Sequence, residues 1–163
     1  MIGLVAIFLG PAAAPAGARA SAPPTAPVAG LANFNSNMCL VARGYQDGAP
    51  VVQTQCDQRY PDQVWYWVEQ TTNWYLLQNK NSGMCMVVRG TDYGARVVQT
   101  RCDSRYFDQW WSLMPANGAI FQVLNWNSRQ CLVVQGEAEG TQAIQFHCDQ
   151  NYWDQWWYQI TLD

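Results

Sequence analysis

Three aspartates, Asp62, Asp108 and Asp154, recur at intervals of 46 residues. Each follows a tyrosine by two positions (Tyr60, Tyr106, Tyr152) and directly precedes a glutamine (Gln63, Gln109, Gln155). Carboxylates accept hydrogen bonds from hydroxyl groups, and tyrosine adds a ring face and a hydroxyl of its own. These are the groups that hold a hydroxyl-rich ligand. Glycosidic hydrolysis asks for more: two unlike carboxylates flanking one bond, one with a raised pKa. Three equivalent aspartates in three separate units do not meet that requirement. His147 is the single histidine and Lys80 the single lysine, which leaves little room for a histidine-based zinc site or a histidine-dependent triad. His147 has no counterpart at the equivalent positions, so a surface place is expected for it. The chain therefore reads as no enzyme, with no cofactor and no metal.

The same interval governs the rest of the chain. Cys39, Cys85 and Cys131 are 46 residues apart, as are Cys56, Cys102 and Cys148, and Trp65, Trp111 and Trp157. Each unit opens with Asn-x-Asn-Ser (Asn33, Asn79, Asn125), carries a glycine pair, then a glutamine (Gln53, Gln99, Gln145), and closes on Tyr-x-Asp-Gln-x-Trp. No gap is needed to align the units, so the chain is a threefold internal duplication.

Within a unit the elements are short strands. Met38–Ala42 and Val51–Gln55 are β-rich and flank a turn-rich stretch, and Val64–Glu69 and Trp74–Gln78 complete the unit. No segment keeps a 3.6-residue period with caps, so no helix is predicted. Four strands in each of three units predict about twelve. Residues 28–33 align with Trp74–Asn79 under the same shift and are placed to complete the third unit, closing the ring without an exposed edge. The expected fold is all-β, a β-trefoil of three 46-residue repeats with pseudo-threefold symmetry. On a strand, Gln and Trp of Gln-x-Trp would share one face. The three tryptophans then meet in the core, with Leu40, Met86 and Leu132 and with Val52, Val98 and Ile144 as neighbours.

Six cysteines allow fifteen pairings. The repeat selects Cys39–Cys56, Cys85–Cys102 and Cys131–Cys148, each straddling a predicted hairpin. Closing a loop of this size contributes ~3 kcal/mol in the chain-entropy model. Such bonds need an oxidising compartment. Thiolate zinc ligation fits poorly, because the spacing offers no Cys-x-x-Cys.

The 163 residues are 13% charged, about half of the ~25% usual in soluble domains, while nine Trp and eight Tyr are present. A net charge of −3 supplies no basic stripe for nucleic acid. The apolar run Ile2–Leu9 is too short to cross a bilayer, which takes ~20 residues. Pro11 ends it, and Ala18-Arg19-Ala20 before Ser21 has the form of a signal-peptidase site, although no cation accompanies Met1. Residues 1–20 are thus expected to be a signal peptide and 21–27 a Pro-rich lead-in. Residues 28–163 form the domain, with repeats of approximately 33–78, 79–124 and 125–163. The protein is expected to be secreted, without membrane insertion.

Three copies of Gln-x-Trp (Gln63-Val64-Trp65, Gln109-Trp110-Trp111, Gln155-Trp156-Trp157), in register with three Cys pairs and Cys-Leu-Val, resemble the ricin B-chain type lectin family. The resemblance covers residues 28 to 163. It implies a β-trefoil that binds galactose, xylose or related sugars in shallow pockets, one per unit. It also marks departures. The aspartate expected two residues after the first Cys is Val41, Val87 and Val133. The aromatic expected two before the second Cys is Thr54, Thr100 and only then Phe146. The residue before Gln-x-Trp, commonly Asn, is Asp62, Asp108 and Asp154.

The resemblance therefore implies a secreted, non-catalytic glycan-binding module with up to three sites. The candidates are Phe146, Asp154, Gln155, Gln135 and Tyr152 in the third unit, the best single site. Asp108, Gln109 and Tyr106 follow in the second, and Asp62, Gln63 and Tyr60 in the first. Arg43 and Arg89 occupy the position of Gln135 and read as solvated surface. The alternative, favoured by valine at all three aspartate positions, is a degenerate trefoil serving as a secreted protein–protein interaction or inhibitor subunit, with Val41, Val87 and Val133 partly exposed beside the tyrosines.

Overall fold

The structure, a computed structural model, describes residues 28–57, 59–116 and 119–161. The expected signal peptide and lead-in lie outside the described residues. Twelve strands are present: β1 (Val28–Asn33), β2 (Cys39–Ala42), β3 (Val51–Thr54), β4 (Val64–Thr71), β5 (Trp74–Asn79), β6 (Cys85–Val88), β7 (Val97–Thr100), β8 (Trp110–Pro115), β9 (Ile120–Asn125), β10 (Cys131–Val133), β11 (Ile144–Phe146) and β12 (Trp157–Ile160).

Six of them, β1, β4, β5, β8, β9 and β12, pair antiparallel in a closed ring. The closing contact is β1 on β12, with Gly30 opposite Ile160 and Asn33 opposite Trp157. This is the closure that the 46-residue shift predicts. The other six form hairpins β2–β3, β6–β7 and β10–β11. Single bridges (Pro50 to Val98, Val52 to Gln142, Arg96 to Ile144) join these hairpins to one another around the axis. A barrel capped by a hairpin triplet is the β-trefoil. No helix among the described residues is long and apolar enough to cross a membrane.

Trp65, Trp111 and Trp157 are fully buried. Each indole N–H donates to the carbonyl of Leu40, Met86 or Leu132 at 3.0, 3.0 and 3.1 Å. The large apolar ring is thus buried without stranding its one donor. Leu31, Leu77 and Val123 fill the same core.

Two expectations require correction. Val52, Val98 and Ile144 are only half-buried, and the core positions are their neighbours Val51, Val97 and Ala143. Parity in these strands is set by Gln53, Gln99 and Gln145, which turn inward and are fully buried. In addition, the glutamine of Gln-x-Trp does not lie on a strand. Gln63, Gln109 and Gln155 end single-turn 3₁₀ helices, Pro61–Gln63, Phe107–Gln109 and Trp153–Gln155. Three residues are too few to leave a helical period in a sequence.

The three disulfides form as the repeat predicts, with Cα separations of 4.9, 4.9 and 5.0 Å. The lobes also interlock. The Gln53 amide donates to the carbonyls of Gly136 and Ala138 at 3.0 and 2.9 Å, Gln99 to Gly44 at 2.9 Å, and Gln145 to Gly90 and Asp92 at 3.3 and 3.1 Å. In each case the carbonyls belong to the hairpin loop of another lobe. Gly48, at φ +80°, returns the contact by donating its N–H to the Gln99 carbonyl at 2.8 Å. Its copies Gly94 and Gly140 do the same to Gln145 and Gln53.

Trp111→Ala is expected to lower the unfolding free energy by ~3–5 kcal/mol, measured by urea denaturation with the disulfides intact. Trp111→Phe keeps much of the ring but leaves the Met86 carbonyl buried and unpaired, for a loss of ~1–3 kcal/mol. A Phe variant as stable as wild type would show that this bond contributes nothing.

Candidate functional site

In each lobe the chain between the hairpin and the following barrel strand folds over itself, and in the first and second lobes it opens a cleft on the rim. The disulfide fixes one end of this loop and the Gln-x-Trp glutamine clamps it. Gln63 accepts from the Asp57 N–H and donates to the Gln55 carbonyl, both at 2.9 Å. Gln109 joins Asp103 and Arg101 in the same way, and Gln155 joins Asp149 and His147. All three glutamines are buried, and both ends of their amides are engaged. They shape the cleft wall from behind.

In the first lobe the cleft is about 360 Å³ and its lining includes Arg43, Thr54, Tyr60, Asp62 and Glu139. Glu139 arrives from the third lobe and accepts a hydrogen bond from the Thr54 hydroxyl. In the second lobe the cleft is about 680 Å³, and Arg89, Thr100, Arg101, Arg105 and Tyr106 line it. The third lobe gathers aromatic rings instead. Tyr93, from the second lobe, lies 5.1 Å from Phe146 and 5.8 Å from His147. Phe146 and His147 are 4.6 Å apart, and His147 is 6.2 Å from Tyr152. Gln135 is exposed at this rim. Tyr60, Tyr106 and Tyr152 stand about half exposed in their respective lobes, with rings available to solvent.

The three aspartates are half-buried; Asp62 lines the first-lobe cleft and Asp108 lies beside the second, against Arg89. Their backbone carbonyls accept from buried asparagine side chains: Asn79 on Asp62 at 2.7 Å, Asn125 on Asp108 at 2.9 Å and Asn33 on Asp154 at 2.8 Å. In all three, one carboxylate oxygen, Oδ1, is buried without a hydrogen-bond partner. Burial raises each carboxyl pKa above its ordinary value. Arg43 and Arg89 partly oppose this for Asp62 and Asp108. Arg89 lies 3.6 Å from Asp108.

Lower on the rim, Arg59 and Arg105 pair with Asp57 and Asp103 at 2.6 Å. Hydrogen bonds from these arginines hold both carboxyls down to about 2. The pairs are solvent-exposed and contribute little to stability.

Val41, Val87 and Val133 are fully buried, at 0%, 0% and 1% exposure. The expectation of partly exposed valine patches is therefore corrected. Each valine lies inside its hairpin, with Val41 opposite Val52 and Val87 opposite Val98. Residue-type reasoning also missed Glu139, Tyr93 and Arg101. The first two reach a cleft from another lobe, and Arg101 breaks the repeat at the position of Gln55 and His147. Departures from the repeat are the signal that would have found all three.

Residues 73–162 match the family model of the ricin-type beta-trefoil lectin domain, and residues 23–100 match the related ricin-type beta-trefoil lectin domain-like model. The chain belongs to the ricin-type β-trefoil lectin family. No curated protein matches it in sequence. Among solved structures, this lectin-family domain is similar to ThreeFoil, a designed 3-fold symmetric protein, with a TM-score of 0.78 and 23% identity over 82% of this chain and 98% of that one. It is similar to an exo-β-1,3-galactanase from Clostridium thermocellum, with a TM-score of 0.77 and 20% identity over 85% of this chain and 30% of the enzyme. It is also similar to the hemolytic lectin CEL-III, with a TM-score of 0.69 and 29% identity over 82% of this chain and 30% of that lectin. The chain thus spans under a third of the galactanase and of CEL-III.

The raised carboxyls have a measurable consequence. A carboxyl whose folded pKa lies above its unfolded value weakens the fold as pH rises from the ordinary value of 3.8 through the folded one. Below 3.8 both states are protonated and the effect vanishes. Asp154→Asn, which removes the buried charge, is therefore expected to raise the melting temperature at neutral pH and to leave it nearly unchanged near pH 3. Equal shifts at both pH values would show that the carboxylate is not held at a disadvantage.

Proposed function

We propose that this lectin-family domain is a secreted, non-catalytic carbohydrate-binding module with up to three glycan sites, one per lobe. Galactose- and xylose-type polysaccharides are its first candidate ligands. The observation that carries the reading is the third-lobe rim, where the exposed rings of Tyr93 and Tyr152 flank the half-buried Phe146 and the half-buried Asp154 has, besides its buried Oδ1, a second carboxylate oxygen that takes no hydrogen bond among the described residues. Pyranose rings stack on such faces, and their hydroxyls donate to such an oxygen. Gln135 completes the polar edge. Gln155, like Gln63 and Gln109, acts by holding the loop.

The equivalent tyrosine and aspartate pairs, Tyr60 with Asp62 and Tyr106 with Asp108, supply the first and second sites. Three weak sites add on a repeating polymer through effective concentration. The non-catalytic reading is supported by the separation of the aspartates into different lobes, where no two flank one bond. Secretion is supported by the three disulfides, which persist in oxidising compartments. The protein-partner reading loses the exposed valine patches, since Val41, Val87 and Val133 are buried, and keeps only the absence of a carboxylate at those three positions.

Retention on immobilised galactan or xylan is expected for the full chain. Phe146→Ala or Asp154→Ala is expected to weaken it by about tenfold, the loss of one stacking face or one charge-assisted bond. A wild-type protein, folded and with its disulfides intact, that is retained on no glycan would overturn the proposal.

A further inference from the structure

Resting on the carbohydrate-binding reading, we infer that the second-lobe cleft takes an anionic sugar, one bearing a single carboxylate or sulfate. The three lobes present equivalent stretches of rim that differ in charge. The first gathers Arg43 and Arg59 against Asp57, Asp62 and Glu139. The third has Gln135, His147 and Asn151 where arginines stand elsewhere, and keeps Asp149 and Asp154. Only the second has arginines in excess: Arg89, Arg101 and Arg105 against Asp103 and Asp108. Asp47, the counterpart of Glu139, is exposed and does not line this cleft.

Two of the three arginines are free to act on a ligand. Arg105 is committed to Asp103 by two hydrogen bonds of 2.9 and 2.6 Å. Arg89 touches Asp108 at a single point 3.6 Å away, and its side chain stays 62% exposed. Its only side-chain hydrogen bond among the described residues, to the Thr100 hydroxyl, is 3.5 Å long. Arg101 is exposed and makes no side-chain hydrogen bond or ion pair among the described residues. A guanidinium fork matches the oxygens of a carboxylate or a sulfate. Tyr106, half exposed beside the arginines, offers the ring face for the sugar itself.

The surrounding protein limits the ligand further. The net charge is −3, so a polyanion meets repulsion beyond the cleft, whereas one acidic sugar fits within it. Glu139 bars the same ligand from the first lobe.

The test titrates the full chain with methyl α-galacturonate, its uncharged methyl ester and methyl galactoside 6-sulfate, by calorimetry. At least one charged probe is expected to bind about tenfold more tightly than the ester, with affinity falling as salt is added. The tighter of the two identifies the acid group. Arg101→Gln and Arg89→Gln are each expected to lose most of that preference, while Lys80→Gln, which removes an exposed cation that lines neither cleft, leaves it intact. An ester bound as tightly as both charged probes, or a preference untouched by both second-lobe variants, overturns the inference. If the charged probes fail while neutral galactan still retains the protein, this inference alone falls. If neither binds, the carbohydrate-binding reading falls with it.

Discussion

The constraint on which the molecule depends is the burial of three amides. Gln53, Gln99 and Gln145 occupy inward positions of hairpin strands where an apolar side chain would ordinarily sit. A buried amide without partners costs ~1–3 kcal/mol, so the burial is tolerable only because carbonyls are waiting. Those carbonyls belong to Gly136 and Ala138, to Gly44, and to Gly90 and Asp92. Each hairpin is therefore satisfied by the loop of another lobe, in cyclic order: third onto first, first onto second, second onto third. A single lobe in isolation would bury an amide it cannot pair. The same docking brings a foreign residue to a cleft, Glu139 against Thr54 in the first lobe and Tyr93 against Phe146 in the third.

This arrangement separates what holds the fold from what faces solvent. The repeated tryptophans and both sets of glutamines are buried and bonded to the backbone, and the repeated cysteines are tied in disulfides. Positions 43, 89 and 135 hold Arg, Arg and Gln, and positions 55, 101 and 147 hold Gln, Arg and His. None of these side chains supports the core. Their variation changes the charge and aromatic character of each cleft without touching the interlock, which is how one scaffold carries three unlike surfaces.

The architecture was legible because the repeat is gapless: twelve strands, the ring closure by residues 28–33 and the disulfide pairing all follow from a shift of 46. What was hidden has physical causes. Val52 looks more like a core residue than Gln53, yet parity runs the other way, since the partner that makes Gln53 buriable lies more than 80 residues distant. The 3₁₀ turn at Gln63 is shorter than any period. The aspartate and tyrosine positions could be read from the motif, but the cleft edges could not, because Tyr93 and Glu139 belong to another unit's loop. Val41 would be exposed on a strand with one open face, but the Cys39–Ala42 strand is buried on both.

The unpaired oxygens of Asp62, Asp108 and Asp154 bind these features together. A buried carboxylate oxygen without a donor favours any motion that returns it to water, so its loop must be held from behind. Three restraints do this in every lobe: the disulfide, the glutamine clamp and the asparagine that grips the aspartate's carbonyl. Asn79 and Asn125 each open the next repeat, and Asn33 reaches across the ring closure to Asp154, so the loops are fixed by the same contacts that join the lobes. The ordering is complete at folding. A hydroxyl-bearing ligand that meets the outer oxygen of such a carboxyl finds it already fixed and has no loop left to immobilise, which lowers the cost of binding in a shallow cleft.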